Sequence, residues 1–270
     1  MTESEKATVR AWQPLTPRGV AAFACAPVGR LLLVQFIFAV FAAAAAVWFL
    51  HAAWFPTIRE AIEHLPERGE IRSGMLDWPG DSAQSLAEGD FLAVAVDLDH
   101  RGSIRSPAHI QIEFGRHDCR MISFLGYADV AYPKDWIVSC NRTELGPWWG
   151  ARQAPILWIA AVAVILGLLT GWSALATLYF LPVWLVGFFA NRDLSLGGSW
   201  RLAGAALMPG ALVLSCALLL YGFGFLDLVQ LSFAATVHVV PGWIYGSVSP
   251  FFAPKLSSAA AVKRNPFRTA

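Results

Sequence analysis

A chain of 270 residues with 56% hydrophobic and only 14% charged side chains, and a mean hydropathy of +0.52, is too apolar for an ordinary soluble protein of this size. With a formal net charge of +1, nucleic acid is not expected as a partner. The lipid bilayer is the partner that remains.

Four stretches carry no Lys, Arg, Asp or Glu: residues 31–50, 153–190, 202–226 and 228–254. Each reaches the roughly 20 residues, at about 1.5 Å apiece, that cross a hydrocarbon core of about 30 Å. A soluble protein would need four uncharged helices of that length at its centre. Fifteen of the nineteen acidic residues fall in residues 51–152, and ten of the twenty basic residues fall outside it, flanking the apolar runs. The expected fold is a membrane bundle of all-α spans, four and possibly five, with a small extracytoplasmic α+β domain.

In chain order, residues 1–30 carry Lys6, Arg10, Arg18 and Arg30. Short basic flanks stay in the cytoplasm, so this segment is expected inside and residues 31–51 form the first span. That run exceeds the 7–15 apolar residues of a signal-peptide core and has thirty residues before it, which favours an uncleaved anchor.

Residues 52–152 then lie outside, long enough for a domain with its own core. Thr57 and Glu60 have capping-box spacing, Ile58, Ile62 and Leu65 follow a helical period, and Pro66 stops the helix. Alternation takes over after this. Val94, Val96 and Leu98 form one strand; Ile110, Ile112 and Phe114 form another, joined through Gly115–Asp118 to residues 119–124 as a β-hairpin. Residues 70–73 and 75–78, divided by Gly74, are weaker strands, and the sheet is expected to be antiparallel. Cys119 and Cys140 are the two cysteines of this oxidising side, so a disulfide is expected between them, closing a loop worth about 3 kcal/mol; two buried thiols are the alternative. Asp97, Asp99, His100, His109, His117 and Asp118 could form a metal site only if they converged. None has a ligand spacing of the His-Glu-x-x-His kind, and the segments holding them read as solvated turns, so no metal or cofactor is expected. Asn141-Arg142-Thr143 has the form of a glycosylation sequon, without meaning in the GC-rich bacterium that the Arg-rich, Lys-poor usage suggests.

Residues 153–190 are long enough to cross twice, with a joint at Gly171-Trp172-Ser173. Two crossings would place Arg192, Arg201 and the basic tail outside. The four-span reading crosses once and bends residues 178–190 at Pro182 along the inner interface. The linker 191–201 is then cytoplasmic, residues 202–226 and 228–250 are the third and fourth spans, and 251–270 is a basic cytoplasmic tail beside anionic lipid. Trp48, Trp54, Trp148 and Trp149 mark outer ends, while Trp200, Trp243 and Tyr245 mark inner ones. Pro209 and Pro241 should kink the last two spans. Gly167-x-x-x-Gly171 and Gly242-x-x-x-Gly246 permit close helix approach. His238, Gln230 and Gln35 are the candidate intramembrane polar site. An ionisable group at that depth is costly and hence a functional candidate, but an imidazole hydrogen-bonded to a neighbouring helix is the blander account.

Leu15-Thr16-Pro17-Arg18, Leu65-Pro66 followed by Glu70-Ile71-Arg72-Ser73-Gly74-Met75-Leu76, Val94-Ala95-Val96-Asp97 with Gly102, and Leu194-Ser195-Leu196 with Trp200-Arg201-Leu202 and Pro209 resemble stretches of one family. It comprises bacterial inner-membrane proteins of unknown function, some described as associated with maltodextrin utilisation. Both outer cysteines depart from its pattern. The resemblance implies an architecture of cytoplasmic start, one span, outer domain and further spans, and implies no catalytic residues. No phosphate loop, dinucleotide fingerprint or Gly-x-Ser-x-Gly elbow is present. The expected role is non-catalytic: a multi-pass inner-membrane protein with both termini cytoplasmic, whose outer domain binds, senses or serves other membrane or extracytoplasmic proteins. A small-solute or ion transporter component is the first alternative and a membrane enzyme the second.

Overall fold

The computed structural model describes residues 11–256. They form two compact units, residues 47–160 and the remainder. Among the described residues, four helices are long and apolar enough to cross a membrane: Val28–Glu63, Arg142–Phe189, Leu196–Gly222 and Leu228–Phe252.

In the helical unit, Thr16 caps α1 (Pro17–Ala22) by accepting from the Gly19 N–H at 3.1 Å. A short 3-10 turn leads to α2 (Val28–Phe49). The unit also contains most of α4 (Arg142–Phe189), α5 (Leu196–Ala206), α6 (Met208–Gly222), α7 (Leu228–Val237) and α8 (Val239–Val248). Phe23, Leu31, Trp172, Val183, Leu202 and Met208 lie in one buried core.

Proline acts differently at each position. Pro209 and Pro241 interrupt the last two long helices as expected, at Leu207 and at His238, two and three residues before each ring. Pro182 does not interrupt α4, which runs unbroken through it and through Gly171-Trp172-Ser173. The helix therefore does not stop at Pro182, and residues 178–189 continue it. Pro182, Val183 and Val186 line a groove with Ala206, Leu207 and Gly242, and Tyr179 accepts from Trp243 Nε1 at 3.2 Å, so this end of α4 packs within the bundle. α4 also begins at Arg142, eleven residues before the uncharged run, where Asn141 Oδ1 accepts from the Glu144 N–H.

The two broken helices meet at their breaks. A methyl group on Gly210 of α6 would stand 2.1 Å from the His238 main-chain oxygen, and one on Gly242 of α8 would meet Leu207 Cδ2 at 3.1 Å. Each break therefore lies against a glycine of the other helix, the close approach that small residues permit in apolar surroundings. Of the two glycine pairs noted in the sequence, Gly242 is used this way and Gly246 meets Val183 of α4 at 3.8 Å; Gly167 and Gly171 face open space.

One end of this unit gathers its basic residues. Arg201 donates to the Ala24 carbonyl at 2.6 Å, and Arg18 stacks over Phe252. Arg192 forms an antiparallel bridge with Lys255 and donates to the Ala253 carbonyl at 3.0 Å. Tyr245 donates its hydroxyl to the Leu15 carbonyl at 2.7 Å.

In the α+β unit, α3 (Phe55–Glu63) does not start at Thr57. The chain arrives already helical, through a π turn at Leu50–Trp54 that closes with the Phe55 N–H on the Leu50 carbonyl. A wide turn ahead of Pro56 makes room for a ring that would clash with a carbonyl four residues back. Thr57 is buried instead of capping.

β1 (Glu70–Arg72) and β2 (Met75–Asp77) pair through Ser73-Gly74, both with positive φ (53° and 75°), the conformation of a tight hairpin turn. β8 (Val138–Ser139) completes a three-stranded sheet in the order β2-β1-β8. The larger sheet has the order β3-β4-β5-β6-β7: β3 (Gln84–Glu88), β4 (Leu92–Val96), β5 (Ile110–Phe114), β6 (Asp118–Ser123) and β7 (Gly126–Ala131). The β5–β6 hairpin falls where the alternation placed it. The sheet is not wholly antiparallel, because β4 and β5 run parallel. Parallel neighbours need a long crossover, and residues 97–109 supply it as a loop. Leu92, Val94 and Val96 of β4, with Ile112 and Phe114 of β5, pack into a core with Ile71, Leu76 and Ala61.

Candidate functional site

Among the described residues, the larger sheet has two edge strands, β3 and β7, and β7 is the more open of them, since β3 buries Leu86 and Ala87. All six residues of β7 are exposed. Alternation sends Tyr127 and Asp129 to one face and Ala128 and Val130 to the other, where Val130 sits opposite Cys119 and Ala128 opposite Met121. The β6–β7 tip is Phe124-Leu125, with Leu125 82% exposed; Val130 is 62% and Trp136 68% exposed. Free backbone groups beside accessible apolar side chains are the two components of strand addition.

The other face carries a polar network. Arg120 makes a two-pronged contact with Asp129, Nε to Oδ1 at 2.7 Å and Nη2 to Oδ2 at 3.1 Å, and its guanidinium stacks 4.5 Å from the Tyr127 ring centroid. This ties β7 to β6. Further in, His100 bridges two carboxylates: Nδ1 lies 2.5 Å from Glu113 Oε1 and Nε2 lies 2.5 Å from Asp118 Oδ1. Carboxylates accept, so both ring nitrogens donate, as an imidazolium can. The Glu113 side chain is only 2% exposed, and its second oxygen accepts from Gln111 Nε2 at 3.2 Å. Gln111 in turn fixes the crossover, donating to the Ile104 carbonyl and accepting from the Ser106 N–H. Burial works to lower the pKa of His100, but the hydrogen bonds to Glu113 and Asp118 outweigh it and hold the imidazole above its ordinary range. Asp97 is buried, which works to raise its pKa; main-chain N–H donors from Ser103, Arg101, Asp99 and Gly102 prevail and hold it low.

The ring sits where only glycine can face it, since a methyl on Gly115 would fall 2.1 Å from His100 Nε2. With both nitrogens engaged, the imidazole has no lone pair for proton abstraction or metal ligation until one bond breaks. Of the six residues considered as metal ligands, the structure joins the side chains of His100 and Asp118. Asp99 pairs with Arg101 at 2.6 Å, His109 sits edge-on to Phe91, and among the described residues no group of three or more could hold a metal. Glu113, the anchor of the cluster, alternates in the sequence with the apolar Ile112 and Phe114. Gln111 two positions earlier, on the same face, was its only signal.

The expected disulfide is corrected. Cys119 and Cys140 are both free thiols. Cys119 lies within β6 of the larger sheet, while Cys140 follows β8 and is tied to the smaller one by its N–H on the Gly69 carbonyl at 2.8 Å. Burial raises both thiols to about 11. Tyr132, held by its hydroxyl on the Gly115 carbonyl at 3.0 Å, has its phenol raised by burial and then by these two neighbouring thiols.

The three intramembrane candidates do not converge. Gln35 is 1% exposed and donates to the Gly204 carbonyl at 3.2 Å, with its own Oε1 buried without a hydrogen-bond partner. Gln230 closes a capping box with Asp227 at the start of α7. His238 stands at the α7–α8 break, its Nδ1–H on the Ala235 carbonyl at 2.5 Å.

No family model, curated protein or solved structure matches the chain.

Proposed function

We propose that this is a multi-pass protein of a bacterial inner membrane, without catalytic activity of its own, whose α+β domain lies outside the cytoplasm and binds an extended segment of another envelope or membrane protein. The resemblance to the inner-membrane family agrees with that architecture and lends no activity. The orientation is supported by Arg18, Arg192, Arg201 and Lys255, which belong to the amino-terminal segment, the linker and the tail yet gather at one end of the helical unit. Basic residues held together at one end favour the cytoplasmic side.

The observation that carries the binding role is the β7 edge: six exposed residues in an unoccupied edge position, stiffened from behind by Arg120–Asp129 and flanked by exposed Met121, Leu125, Val130 and Trp136. An added strand would satisfy the free backbone groups and cover the apolar side chains together.

A photo-crosslinking residue placed in living cells at Tyr127 or Val130, and as a control at Gln84 on the opposite edge strand β3, tests the role. A discrete adduct with a second protein is expected at the β7 positions only, and Val130→Lys introduced beside the Tyr127 probe should abolish it. Equal adducts at Gln84, or none at β7, would sink the proposal. An adduct between two copies of the chain would make the partner a second copy.

A further inference from the structure

The α+β domain has a second feature that the β7 reading does not use. α3 does not close fully onto the sheets beneath it. A half-open cavity of about 260 Å³ remains, walled by Ile58, Ala61 and Ile62 from the helix, Val94 and Ile112 from the larger sheet, and Trp78 following β2. The sequence builds these walls: Ile58 and Ile62 share a helical face, and strand alternation points Val94, Ile112 and Phe114 the same way. Ile58, Ile62, Trp78, Ile112 and Phe114 are only half-buried despite lining the domain's own core.

The chemistry of the walls restricts what can enter. Every lining side chain is hydrocarbon or aromatic except Trp78, whose body is apolar, and Cys140. Burial lifts that thiol to about 11, so it stays neutral at physiological pH. A charged or strongly polar group entering would lose its water without compensation. Size restricts it further. An apolar cavity of about 150 Å³ accepts benzene, whereas drug-sized ligands occupy about 300–1,000 Å³. The space therefore suits one slender chain and excludes a helix, a sugar or a pair of acyl chains.

We propose that this cavity binds the end of a single unbranched hydrocarbon chain, with the head group of the fatty acid or acylated molecule remaining in solvent.

The test uses the full-length protein in nanodiscs with two photoactivatable probes, a free C12 fatty acid carrying a terminal diazirine and a phospholipid carrying the same group at its chain end. Crosslinked peptides are mapped by mass spectrometry. Labelling is expected on peptides containing Ile58–Ile62 and Ile112, reduced at least tenfold by excess unlabelled dodecanoate and by Ala61→Phe, which fills the cavity. Labelling by the free acid assigns a soluble chain, and labelling by the phospholipid probe assigns a lipid of the bilayer. Alkylation of Cys140 in the wild-type protein gives an independent readout should Ala61→Phe fail to fold, because dodecanoate should slow it severalfold. Labels confined to the long apolar helices, or Cys140 alkylation unaffected by dodecanoate, would overturn the assignment.

Discussion

Glu113 is a carboxylate at 2% side-chain exposure whose burial is tolerable because an imidazolium and an amide accompany it. Removing one member of a buried pair leaves the other uncompensated, at about 3–5 kcal/mol. His100→Ala is accordingly expected to destabilise the α+β domain by that amount, read as faster hydrogen exchange in β5 and β6. The pH dependence has a definite sign. The folded-state pKa of His100 is raised, so its stabilisation is complete below the ordinary histidine range and is lost as pH rises through the raised value. The gap between wild type and His100→Ala should narrow over that interval, and a gap independent of pH would contradict the bridge. Little of this was legible in the sequence. Alternation shows that Glu113 faces away from Ile112, but not that the crossover covers the face it points to. Cys119 and Cys140 failed differently: the compartment argument supplied a pair, and their placement in separate sheets overrode it.

Among the elements, the strands with strong alternation and the breaks before Pro209 and Pro241 were readable, while β3, β7 and the parallel β4–β5 pairing were not. Proline shows why. A ring always removes a donor, but whether the helix stops depends on how the surrounding backbone absorbs the loss: a π turn does so before Pro56, and α4 continues through Pro182. Capping spacing is ambiguous in the same way, because Thr57/Glu60 sits inside a continuing helix whereas Asp227/Gln230 is a true box. Gly210 supplies a sharper test. Its added methyl would strike a main-chain oxygen, whereas that of Gly242 meets the movable end of Leu207. Gly210→Ala should cost about 1–3 kcal/mol by overpacking and Gly242→Ala distinctly less, measured as thermal unfolding in detergent. Equal effects would mean that the helices do not cross where described.

For the whole molecule, the uncharged runs located the four apolar helices, and α4 as a single helix gives no support to a second crossing at Gly171. At about 72 Å for its 48 residues, α4 far exceeds the hydrocarbon thickness, a surplus that composition alone disguised as two candidate spans. The meeting of Arg192 with Lys255 was beyond the sequence, since it joins segments more than sixty positions apart. A reporter active only outside the cytoplasm, fused after Gly150, Gly197 or Ala270, should be active after Gly150 alone. Activity after both Gly197 and Ala270 would reverse the orientation of the linker and tail.

The reciprocal contacts of Leu207 with Gly242 and of His238 with Gly210 also bear on biogenesis. Gly224, with φ of 77°, stands midway between the matched positions, so α6 and the α7–α8 helix fold back on one another with their breaks in register. Each break packs against a glycine of the other segment, so neither helix alone covers its own break. A nascent chain halted at Gly222 has only one of the two. The third and fourth apolar segments are therefore expected to insert as one hairpin, and a residue added between Gly210 and Gly224 should misalign the breaks and lower the amount of protein recovered from membranes.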